Sequence, residues 1–185
     1  METIEEINES GIKFTMANLA TRLAVSKSTL YAHFASKEEL ISEILNYFIE
    51  GMQNYDETIM NNDKLDVCEK MEALFLGESQ VLGSISNRFI LELRRYMPKA
   101  WEEVVQFRQQ RSQLIESIIK KGIDSGFIRP IDLQVLKIIL DATLDTILSK
   151  NFLVQNNLTI KDAINKMSNI LYYGMVVPAA KRSTK

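Results

Sequence analysis

Phe14-Thr-Met-Ala-Asn-Leu-Ala-Thr-Arg-Leu-Ala-Val-Ser-Lys-Ser-Thr-Leu-Tyr-Ala-His-Phe-Ala-Ser-Lys-Glu-Glu-Leu40 reads as two short helices, a tight turn and the start of a third helix. Helices of two turns bury too little apolar surface to stand alone, so a segment of this kind persists where the second helix projects from a small domain into a groove. Leu19, Ala20 and Leu23 share one face of the first helix at i, i+1 and i+4, while Val25, Leu30 and Phe34 supply the apolar side of the second. Ser26 stands where an N-cap oxygen meets the open amides of the second helix. Ser36 with Glu39 has capping-box spacing for the third.

The charge pattern points to a polyanion. Between Ser10 and Lys37 there is no carboxylate, yet Lys13, Arg22, Lys27 and Lys37 fall there, in a chain of formal net charge -2. Such a patch lets cations reach phosphates without internal competition. On charge alone an ordinary solvated face is as good an account. Side-chain order tips the balance: Lys27, Ser28 and Thr29 open the second helix, where a recognition helix touches base edges. Tyr31, His33 and Lys37 follow with donors suited to phosphate oxygens.

From Phe14 to about Leu45, with its Thr-Leu-Tyr-x-His-Phe core and following Ser-Lys-Glu, the segment resembles the helix-turn-helix signature of the tetracycline-repressor (TetR) family of bacterial transcription regulators. The resemblance implies that Lys27 and Ser28 face bases and that Thr29 serves bases or backbone. It further implies that Tyr31, His33 and Lys37 hold phosphates and that Thr15 caps the first short helix. Two departures stand out. Ala24 occupies the turn position usually held by glycine, where a positive φ costs a side chain about 1 kcal/mol. The preceding segment is short and acidic, with Glu2, Glu5, Glu6 and Glu9 and only Ile4, Ile7 and Ile12 to pack, so a frayed N-terminus is expected.

The chain has 185 residues, 46% hydrophobic and 25% charged, with three prolines and seven glycines, which predicts a globular all-α protein. Its expected organisation is a three-helix DNA-binding domain over residues 1–45 and a helical effector-binding and dimerisation domain over 46–185. No apolar run approaches a membrane span and no basic leader follows Met1, so a cytoplasmic location is expected. An enzyme fits poorly: His33 and Cys68 are the only histidine and cysteine, and no phosphate-cradling glycine loop is present. No cofactor or metal site is therefore expected. A small buried apolar role suits Cys68 better than a reactive thiol.

Beyond the signature, residues from Ser36 to about Met60 predict one long connecting helix, with a break at Asn61-Asn62-Asp63. Helical spacing resumes from Leu65 toward Gly83, again over Phe89 to Met97, and from Pro98 to a close at Gly126. One further helix is expected between Asp132 and Gln155, apolar around much of its circumference, and a last one opens at Thr159 with Asp162 in capping-box spacing. The last two helices could be monomer core. The small size of the chain favours a two-fold four-helix seam through Leu136, Ile139, Leu140, Leu144, Ile147, Ile164, Met167, Leu171 and Met175. The resemblance implies the same homodimer, reading two half-sites of a palindromic double-stranded operator, most simply as a repressor released by a small apolar effector. Met52, Tyr55, Met71, Phe75, Phe89, Trp101, Phe107 and Phe152 could line the effector pocket, although such stripes are more often core. Arg88, Glu92, Arg94 and Arg95 read as a solvated face. The remaining alternative is an interaction protein that keeps this fold with weak or lost DNA binding.

Overall fold

A computed structural model describes residues 2–82 and 86–178, and Gly83, where the sequence suggests a helix end, lies outside them. Among these residues the chain is built from helices. They are α1 (Glu2–Ser10), followed by a 3-10 turn (Gly11–Lys13), α2 (Met16–Arg22), α3 (Lys27–His33), α4 (Lys37–Met60), α5 (Val67–Leu82), α6 (Asn87–Tyr96), α7 (Pro98–Asp124), α8 (Leu133–Ile147), α9 (Lys150–Gln155) and α10 (Ile160–Met175). No helix among the described residues is long and apolar enough to cross a membrane.

The helix starts follow the side chains that satisfy their open amides. Thr15, Ser26 and Ser36 each accept a hydrogen bond from the amide three residues on, opening α2, α3 and α4. Glu39 reaches back to the amide of Ala35 at 2.5 Å, one residue before the cap. Asp66 and Glu69 cap α5 reciprocally at 2.8 Å, and Thr159 with Asp162 forms a full capping box on α10. Each cap is worth about 1 kcal/mol. Pro98 opens α7, and Gly126 at φ 77° turns the chain after it. Ala24 does take a positive φ, 52°.

One core joins α1 to α4 with α6, α9 and α10. Leu19, Ile41, Phe89 and Leu93 are fully buried within it, each contributing on the order of 2 kcal/mol by leaving water. A second cluster joins α5, α7 and α8 around Met71, Ile119 and Ile128. Three expectations change here. The acidic N-terminus is an ordered helix, with Ile7 buried and α2 packed against it. Val25 is exposed and adds nothing to the buried side of α3. The helix expected between Asp132 and Gln155 is two: it stops at Leu148, and Ser149 caps α9 through the amide of Phe152 at 3.4 Å. Ile147, Leu148 and Leu153 are all buried, and a straight helix would carry them around its circumference; the break turns all three inward.

Candidate nucleic-acid interface and effector cavity

Only Leu30 of α3 is buried, and it anchors a seven-residue helix whose other side chains face outward. Lys27, Ser28, Thr29, Tyr31 and His33 are all exposed. The Ser26 hydroxyl lies 2.8 Å from that of Ser28 and 2.7 Å from that of Thr29, so the first turn is a connected cluster of hydroxyls beside a cation. Lys27 Nζ sits 5.7 Å from the centre of the Tyr31 ring, and Lys37 Nζ lies 5.0 Å from that of buried Phe14. Ring faces attract ammonium groups and steer them without neutralising them. Thr15 is spent on its cap to Asn18 at 3.1 Å but is exposed at the edge of the same surface.

The carboxylate-free patch is not free of competition. Arg22 donates to Glu9 at 2.7 Å, to Glu6 at 3.0 Å and to Glu5 at 3.4 Å, all from α1. Carboxylates outside the sequence window thus claim one of its four cations. Arg22 hydrogen bonds and attraction hold the Glu9 carboxyl below its ordinary range, and Glu9 with Glu6 raises the affinity of Arg22 for its proton. Lys13, Lys27 and Lys37 carry no ion pair among the described residues.

A second set of contacts ties this surface to the rest of the chain. The Ile12 amide donates to Glu92 at 2.7 Å, Arg88 donates to the Glu9 carbonyl at 2.9 Å, and the Ser86 amide donates to Asn8 at 2.7 Å. Arg88 and Glu92 pair at 3.1 Å. These two residues are therefore the α6 grip on the turn after α1: Arg88 stays on the solvated face expected of it, whereas Glu92 is largely covered. Their i, i+4 spacing gave no hint of a distant backbone partner.

Between α4 and α7 lies a cavity of about 350 Å³, lined by Gln53, Asp56, Glu57, Met60 and Asn61 on one side and Phe107, Gln110, Arg111 and Leu114 on the other. Arg111 grips Asp56 with both arms of its fork, at 2.8 and 3.1 Å, and donates to the Leu74 carbonyl at 2.6 Å. Both side chains are buried, so the pair is a strut between α4 and α7 in the cavity wall, which mixes the apolar Met60, Phe107 and Leu114 with polar side chains. Its signal in the sequence is a charge at the core register of each helix: Asp56 follows Met52, and Arg111 precedes Ile115. Of the eight aromatic and Met candidates only Phe107 lines this space. Phe75 joins Phe107 around a smaller cleft toward α8. Met52, Met71 and Phe89 are core. Tyr55 gives its hydroxyl to the Ala73 carbonyl, Trp101 lies under Arg94, and Phe152 packs half-buried on the first core.

The expected seam divides in the same way. Leu136, Ile147, Ile164, Met167 and Met175 are buried within the protomer, with Leu140, Leu144 and Leu171 half-covered beside them. Only Ile139 of that set is exposed. The apolar side chains left outward on α8 and α10 are Val135, Ile138, Ile139, Ile170 and Tyr173, at 47 to 73% exposure.

The family model for bacterial regulatory proteins of the tetR family matches residues 2–44. The HTH-type transcriptional regulator YvaF of Bacillus subtilis is 24% identical over 174 residues, which are 94% of this chain and 92% of that protein. The HTH-type transcriptional regulator YhgD of the same organism is 32% identical over 133 residues, 69% of each chain. The solved ketosteroid transcriptional regulator KstR2 of Mycobacterium tuberculosis shares the fold at a TM-score of 0.65, with 18% identity over 95% of this chain and 92% of that one.

Proposed function

The chain belongs to the tetR family of bacterial regulatory proteins, and from that membership we propose that it is a homodimeric transcriptional repressor, released from a palindromic operator by a small-molecule effector. Residues 1–45 form the reader, and residues 46–185 the effector-binding and dimerisation part. The observation that carries this reading is α3, a helix with one buried residue and a hydroxyl and cation cluster on its exposed first turn. Lys27 and Ser28 take base edges, Tyr31, His33 and Lys37 take phosphates, and Thr29 serves either.

Two copies are needed to set two α3 helices about 34 Å apart in successive major grooves. The outward Val135, Ile138, Ile139, Ile170 and Tyr173 of α8 and α10 supply the seam, as one half of a four-helix interface. The cavity between α4 and α7 supports an effector, because α4 runs without a break from Lys37 beside the reader to Met60 on the cavity wall. Similarity to KstR2, an HTH-type transcriptional repressor 26% identical over 133 residues, supports repression.

The test is an anisotropy titration of the full chain against a duplex carrying the promoter beside its own gene, with the oligomeric state read by light scattering. We expect a dimer whose affinity falls steeply with salt, by about 0.9 in the logarithmic slope for each phosphate neutralised. Salt-insensitive or absent binding by a verified dimer would overturn the regulator reading in favour of an interaction protein.

A further inference from the structure

The two cavities beside α7 share a wall. The smaller, lined by Phe75, Phe107, Arg108, Leu140, Leu144 and Met167 among others, holds about 40 Å³ and meets the 350 Å³ cavity at Phe107 and Arg111. Arg111 is pinned by Asp56 and Leu74, which leaves Phe107 as the partition that a rotamer change can remove. Arg108 is paired on one side only. Its NH1 donates to Asp145 at 3.0 Å, while its Nε is buried without an acceptor. A buried guanidinium N–H left without an acceptor keeps its full desolvation cost, which an incoming acceptor recovers.

The acceptors nearby do not fill the role. Asp141 also lines the smaller cavity, but its charge is countered by Lys137 at 2.6 Å, and Asp145 is largely exposed. On the larger cavity, Asp56 is spent on Arg111, and Glu57 is exposed to screening solvent. Glu103 Oε2 is also buried without a partner but lines neither cavity.

We propose that the effector is an amphipathic carboxylate whose charged end binds Arg108 and whose apolar body passes Phe107 into the α4–α7 cavity. The volumes set this orientation: 40 Å³ takes a carboxylate group and no chain, while 350 Å³ takes the body. The inference rests on the effector-cavity reading above.

It is tested on the full chain by calorimetric titration with three ten-carbon probes below their micelle thresholds: decanoate, decanol and decyltrimethylammonium. Decanoate is expected to bind about tenfold tighter than either of the others, a preference that Arg108→Met removes. Asp145→Asn, which leaves Arg108 in place and removes its competing carboxylate, is expected to tighten decanoate several-fold. Equal binding of all three probes, or a decanoate affinity unchanged in Arg108→Met or not raised in Asp145→Asn, overturns the anionic anchor and leaves the cavity standing. Binding of none of the probes overturns both.

Discussion

Arg22 and Glu9 meet at 2.7 Å across the seam between α2 and α1, with Glu6 and Glu5 on the same guanidinium. Three carboxylates around one cation leave negative charge beside the reader. They dock α1 and withhold Arg22 from phosphate. Replacing Arg22 by Gln should therefore leave the salt slope of operator binding unchanged. Glu5→Gln, Glu6→Gln and Glu9→Gln combined, which remove all three carboxylates from the guanidinium, should steepen it by about one unit per subunit as Arg22 is released. Anisotropy titrations across a salt series check both. A slope flattened in Arg22→Gln would show that the arginine already reaches DNA.

The same contact sets an acid limit. Arg22 holds the Glu9 carboxyl below its ordinary value of 4.5 in the folded chain, chiefly by hydrogen bonding and then by attraction. A lowered folded value means that the unfolded chain takes up the proton first. The stabilisation is therefore complete above about pH 4.5 and disappears as pH falls through the lowered folded value. Asp162 adds in the same direction, because the Thr159 hydroxyl and amide hydrogen-bond its carboxylate. Urea unfolding followed from about pH 7 to about pH 3 should show stability falling at the acid end, and the fall should be shallower in Glu9→Gln.

Gly11 is the hinge of the grip between α1 and α6. It takes φ 63°, and a Cβ there would overlap the Glu92 carboxylate and crowd Arg88. Gly11→Ala should cost about 2 kcal/mol from strain and the lost Glu92 contact to Ile12. Urea unfolding measures the cost. Glu92→Gln, which keeps the shape, should cost less than half as much.

How much was legible in the sequence follows from how far apart the partners lie. The caps at Ser26, Ser36 and Thr159 act on amides three residues away, so spacing located three helix starts, while the cap at Thr15 came from the family resemblance. The outward face of α3 was legible for the same reason: seven residues with one apolar anchor at Leu30 leave the others outside. Arg22 with α1, Ile12 with Glu92 and Asp56 with Arg111 pair residues 13 to 80 positions apart, and no local pattern encodes such partners. The stripe Ile160, Ile164, Met167, Leu171 and Met175 was periodic, but periodicity says that a face is covered and not by which chain. Here the protomer covers most of it, and α10 offers Ile170 and Tyr173 outward instead.

That distinction separates two variants on neighbouring helices. Ile138 is 67% exposed on α8, so Ile138→Glu should leave the protomer's unfolding free energy within about 0.5 kcal/mol of wild type. Buried at a two-fold seam, however, the new carboxylate would lie near its symmetry mate without a partner, and the dimer should dissociate by at least about tenfold. Ile164 is 1% exposed inside the protomer, so Ile164→Ala should cost about 2 to 5 kcal/mol of stability through the cavity it opens. At temperatures where that variant remains folded, it should still be dimeric. Light scattering and urea unfolding on both proteins decide the matter: a monomeric Ile164→Ala beside a dimeric Ile138→Glu would return the seam to the inward stripe.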